Sequence, residues 1–99
     1  MDAQHVWVCK DDGSDLVRAD VIVGVGMDYN GSVTARLAGG EGATVTLVAI
    51  GGQDSPRTPD DFHRQLIRVF TQLSDAAEGF VVRPVWDEPQ GWRWTSEEL

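Results

Sequence analysis

The hydrophobic pattern of the chain changes period twice. Up to residue 50, apolar side chains alternate with polar ones or run in short blocks of valine and isoleucine. Between residues 59 and 78 they recur every three to four positions, and after residue 80 they alternate again. Period two marks strands with one wet and one dry face, and a period near 3.6 marks an amphipathic helix.

The first half predicts four strands. "QHVWVCK" (4–10) is rich in β-branched and aromatic residues and ends at "DDGS", a turn composition. "DLVRADVIVGVGMD" (15–28) is extended, with Asp20 as a break and Gly24 and Gly26 marking a bulge or a close backbone approach. Asn30-Gly31 predicts a hairpin through a type I′ turn, since both residues accept positive φ. "VTARLA" (33–38) alternates strictly. "GGEG" (39–42) turns the chain, and "ATVTLVAI" (43–50) ends nearly all apolar, which suits a central strand.

The loop "GGQDSPRTP" leads into the helix. Thr58 is the expected N-cap, Pro59 the first helical residue and Asp61 the capping-box acid. The apolar stripe is Phe62, Leu66, Val69, Phe70, Leu73 and Ala77, and Gly79 supplies a left-handed cap, so the helix is predicted over 59–78. "FVVRPVW" (80–86) is the next strand, and Pro84 argues for an edge because proline cannot donate to a ladder. "DEPQG" turns and "WRWTS" (92–96) returns. With Trp86 opposite Trp92, Pro84 faces Trp94, and one face carries Val82, Pro84, Trp86, Trp92 and Trp94. "SEEL" (96–99) reads as a frayed tail. The order ββββαββ gives a single α+β domain over residues 1–99: a mainly antiparallel sheet of five to six strands with one helix packed on one face.

Composition narrows function more than fold. Ninety-nine residues with 41% apolar and 24% charged positions make one core and argue against disorder. The single cysteine, Cys9, allows no intramolecular disulfide and suits a reducing compartment. No apolar run approaches the ~20 residues of a membrane span, and "MDAQHVWVCK" lacks the pattern of a secretion signal, so the expected location is cytoplasmic. Seven arginines against one lysine, with abundant Ala, Gly, Val and Asp, suit a GC-rich bacterial genome. The net charge of −8 divides evenly: residues 1–50 carry 3 bases and 7 acids, and residues 51–99 carry 5 bases and 9 acids. No basic region is hidden, so nucleic acid and anionic membranes are disfavoured as partners.

Candidate chemistry is sparse. His5 and Cys9 stand ~13 Å apart along a straight strand, too far to share a metal ion. His63 lies off the apolar stripe. Cys9, between Val8 and Lys10 in a strand, reads as a small buried hydrophobe rather than a nucleophile. The acid pairs Asp11-Asp12, Asp60-Asp61 and Asp87-Glu88 belong to turns and a helix start. The glycines of "LAGGEGATV" lead into a strand, whereas a phosphate loop leads into a helix. No catalytic, metal or cofactor residue is assigned, and the reading leans away from an enzyme.

What remains is a surface. Arg64 and Arg68 stand at i and i+4 on the helix, with Asp60 and Asp61 within reach to neutralise them. Three tryptophans crowd residues 86–94, and each ring removes roughly 150–250 Å² from water when buried. Rings this close must be covered by the domain itself or by another chain. The expectation is a protein-interaction module that self-associates as a homodimer, with Trp86, Trp92, Trp94, Pro84, Arg64 and Arg68 at the contact. The alternatives are an acidic, immunity-type binder of a basic protein, and a ligand-binding or enzymatic domain with a cleft near residues 51–58 and 86–94.

Overall fold

The computed structural model describes residues 5–39, 42–51, 56–75, 78–88 and 91–99. Among these residues it is an α+β fold of seven strands and one helix: β1 (Val6–Cys9), β2 (Leu16–Arg18), β3 (Ile22–Met27), β4 (Val33–Leu37), β5 (Thr44–Val48), α1 (Phe62–Leu73), β6 (Phe80–Asp87) and β7 (Gly91–Glu98). Five strands, not four, precede the helix. They belong to two sheets rather than one, of order β2-β1-β6-β7 and β3-β4-β5.

The division begins at Asp20. The run 15–28, expected to be extended with a break at Asp20, is cut there by a single 3₁₀ turn over Ala19–Val21, which sends β2 to the first sheet and β3 to the second. Asp20 pairs with Arg18 at 2.6 Å across this turn, and Ala19 is buried beneath it. The Arg18 hydrogen bond holds the Asp20 carboxyl below its ordinary value of 3.8. A lowered folded-state pKa adds stability above the unfolded value, and that contribution is lost as pH falls through the folded one. In urea titrations, the gap between wild type and Asp20→Asn should therefore be widest at neutral pH and should narrow as the pH falls below the ordinary carboxyl value.

The hairpin predicted at Asn30-Gly31 joins β3 to β4, but its turn is not type I′. Gly31 has φ +95°, whereas no non-glycine residue described has positive φ. Asp28 makes the turn instead. Its carbonyl accepts from the Gly31 N–H at 3.0 Å, and its carboxylate accepts from the N–H groups of Asn30 and Ser32, each at 3.0 Å.

Bulges reshape the second sheet. Val23 is the extra residue opposite β4, and it points outward at 66% exposure. Leu47 is the extra residue in β5, so Leu47 and Val48, neighbours in sequence, are both fully buried. Strand β5, expected to be central, is an edge. Its outer side is closed by Asp11, whose N–H donates to the Leu47 carbonyl at 2.8 Å and whose carboxylate accepts from Ala49 N–H at 3.0 Å.

The helix is shorter than predicted. Its N-cap is Asp61, and Thr58, expected there, is buried with its hydroxyl donating to the Gly31 carbonyl at 2.6 Å. Pro59 precedes the helix, with its carbonyl accepting from Phe62 N–H. At the other end the Ser74 hydroxyl donates to the Thr71 carbonyl, and His5 Nε2 donates to the Leu73 carbonyl at 3.0 Å. These donors satisfy carbonyls that a helix end leaves open. Gly79 is not a left-handed cap. Its φ is not positive, and a side chain there would meet only the exposed Leu99 side chain inside 3 Å, at 2.7 Å. Ala77, the last residue of the predicted stripe, lies outside the described residues.

Phe62, Leu66 and Phe70 turn their buried stripe toward a core shared by both sheets, with Val6, Val8 and Val82 from one and Val33, Ala35, Leu47 and Val48 from the other. The helix lies against β7 of one sheet and β3 of the other.

Candidate interaction surface at the C-terminal hairpin

Strands β6 and β7 form the hairpin at the predicted register, with Trp86 opposite Trp92 and Pro84 opposite Trp94. The predicted tail does not fray. Glu97 pairs with Val81, Glu98 pairs with Phe80, and Leu99 N–H donates to the Gly79 carbonyl at 3.0 Å.

Pro84 sits in an interior strand, not an edge strand, because β6 also pairs with β1 in parallel. The missing donor still explains its place. Phe80 N–H donates toward β1, to the His5 carbonyl, so even-numbered residues of β6 direct their backbone groups to that side. The last β1 rung is Val8↔Val82, and Pro84 lies one even position beyond it. Proline stands where the ladder on that side has ended.

The tryptophans divide into two roles. Trp92 donates its indole N–H to the Pro56 carbonyl at 2.9 Å, and Trp94 donates to the Phe62 carbonyl at 2.8 Å. Phe62 stacks on Trp94 with centroids 4.6 Å apart and planes 15° off parallel, and it lies tilted 6.3 Å from Trp92. Both indoles thus finish the core and satisfy their polar atom on backbone at the helix approach. Pro84 is buried beside them, while the two tryptophans themselves are half-buried. Trp86 is different: it ends the hairpin and stays 41% exposed. Near the same approach, the Arg57 guanidinium donates to the Tyr29 carbonyl, and the Tyr29 side chain is 86% exposed.

Arg64 and Arg68 are exposed on the helix, two positions on from the buried Phe62 and Leu66 and so on the opposite side. Trp92 and Trp94 approach from the buried side. The structure therefore separates the arginine pair from the tryptophans that the sequence reading grouped with it. The acids are engaged elsewhere: Asp61 accepts from the Gln65 amide at 2.9 Å, and Asp60 stands 3.9 Å from Arg57. Residues 52–55 of the expected cleft lie outside the described residues.

No family model, curated protein or solved structure matches this chain. The surface must be read from its own geometry.

Sheet edges expose unpaired N–H and C=O groups, and folds blunt them. Three of the four edges here are blunted: β2 has 3 residues, β3 carries the Val23 bulge, and β5 is closed by Asp11. The fourth, β7, is 8 residues long, and among the described residues nothing pairs with its outer side. Its devices are charges. Arg93 bonds Asp87 at 2.9 Å, which raises the already high pKa of the guanidinium, and Glu97 bonds Arg83 at 3.0 Å. Sequence reasoning missed this pair because it weighed the hairpin by its rings. The available signal was an arginine and a glutamate four apart on one strand.

Proposed function

We propose that this chain is a non-enzymatic protein-interaction module that acts through its C-terminal hairpin and associates with a second copy of itself. The supporting observation is the β7 edge: it is long and open, and it lies beside a tryptophan that the core leaves 41% exposed. Backbone groups on such an edge give affinity, and an adjacent aromatic side chain gives a partner something to cover. The expected result is a molar mass near twice 10.8 kDa at high concentration, falling toward 10.8 kDa on dilution. Sedimentation equilibrium would measure it, and a monomer at every concentration would overturn the reading.

A second reading takes support from charge. Arg57 links the carbonyl of the exposed Tyr29 to Asp60, whose side chain is 96% exposed, on a protein of net charge −8. That combination suits a basic protein partner, whose association rate would fall steeply with added salt.

A further inference from the structure

We infer that two copies pair antiparallel along β7, in the register that places Thr95 opposite Thr95 of the second copy. The inference rests on the self-association proposed above and specifies its geometry.

The backbone restricts the choice first. Leu99 N–H donates to the Gly79 carbonyl on the β6 side, so the odd-numbered residues of β7 direct their N–H and C=O groups to β6. The even-numbered residues Trp92, Trp94, Ser96 and Glu98 direct theirs to the open side. A twofold axis perpendicular to the sheet, the symmetry of an antiparallel strand pair between identical chains, places each even residue opposite another even residue. Outward donors then meet outward acceptors. The odd residues form the non-hydrogen-bonded pairs, where side chains come closest.

Charge then selects the register. With Arg93 opposite Arg93, or Glu97 opposite Glu97, like charges face each other across the axis, which destabilises a pair. An axis through Trp94 sets Arg93 against Thr95, and an axis through Ser96 sets it against Leu99, leaving the charges unmatched. With the axis at Thr95, Arg93 faces Glu97 of the second copy and Glu97 faces its Arg93. Trp94 exchanges backbone bonds with Ser96, and Trp92 with Glu98. The two threonines meet on the axis, a favourable cross-strand pair. Because Glu97 already bonds Arg83 and Arg93 already bonds Asp87, the seam becomes an alternating ladder running Arg83, Glu97, then Arg93 and Asp87 of the second copy, and its twofold mate. The charges that shield this edge from other strands make it complementary to itself.

The test uses the whole chain at physiological salt, with mass read by sedimentation equilibrium. Arg93→Glu alone and Glu97→Arg alone should each shift the mass to 10.8 kDa, because each sets two like-charge pairs across the seam. An equimolar mixture of the two variants should return to twice that mass. The mixture leaves each variant's internal ion pair broken, so recovery requires pairing between copies. Ser96→Pro should also give a monomer that melts where dilute, dissociated wild type does, since it removes an outward N–H and no bond to β6. Wild type dimeric, but with no recovery on mixing, would overturn this register and leave self-association standing. A Ser96→Pro dimer would move the contact off this edge altogether. A wild-type monomer would overturn both.

Discussion

Replacing Phe62 with alanine should destabilise the protein by about 3–5 kcal/mol, the range for removing a buried phenylalanine. The ring is fully buried, stacks on Trp94 at 4.6 Å and borders Trp92 at 6.3 Å, and its residue's own carbonyl receives the Trp94 indole N–H. Few neighbours can collapse into the gap, because both indoles are tied by their nitrogens to backbone atoms at Pro56 and Phe62. A domain of this size has a total stability of about 5–15 kcal/mol, so the loss is a large share of it. At about 4–8 °C per kcal/mol the melting temperature should fall by more than ~10 °C. Urea unfolding followed by tryptophan emission would measure the change. Phe62→Leu should recover much of it by refilling the volume. If Phe62→Ala cost less than about 1 kcal/mol, the stack would not be holding the hairpin to the helix.

The second large effect is expected at Gly31. An added Cβ would stand 2.6 Å from the Thr58 hydroxyl and 3.3 Å from its backbone nitrogen, at φ +95°. Thr58 is 2% exposed and hydrogen-bonded to the Gly31 carbonyl, so the hydroxyl has little freedom to withdraw. Backbone strain of about 1–3 kcal/mol adds to an overpacking cost of similar size. Gly31→Ala should therefore lower stability by about 2–6 kcal/mol. Gly13→Ala provides the contrast, because that glycine has φ +76° but nothing within 4 Å of the added atom. It should show the strain alone. In a denaturation series, equal losses at the two glycines would mean that the Thr58 contact contributes nothing. The double change Gly31→Ala, Thr58→Ala should cost less than the sum of the single changes, since removing the hydroxyl relieves the clash.

Thr58 also shows how a local signal can be correct in type and wrong in partner. A buried threonine ahead of an amphipathic run resembles an N-cap, and its hydroxyl does bond a backbone atom. The atom belongs to Gly31, 27 residues away. That bond pins the helix approach to the β3–β4 hairpin, and Arg57 reinforces it at the Tyr29 carbonyl. The same approach then receives the Trp92 indole on Pro56. One short segment thus connects the second sheet to the C-terminal hairpin, and side-chain periodicity carries no record of that connection.

The sequence by itself determined the elements that depend on near neighbours. The helix stripe, the turn at Asp12-Gly13 and the Trp86–Trp92 register follow from period and turn chemistry, which act within a few residues. The bulges were legible only as an ambiguity around Gly24, since nothing in the pattern marks Val23 or Leu47 as the extra residue. Only the tertiary structure decided that the strands form two sheets, because a single 3₁₀ turn at Asp20 redirects the chain and pairing partners are chosen across long separations. It also decided which edge stays open. Partial burial of Trp92 and Trp94 could be anticipated from their area alone, whereas the availability of β7 depends on where Asp11, Val23 and β1 fall in space. An edge exists only relative to its neighbours, so its backbone groups become a binding surface only once the rest of the sheet is placed.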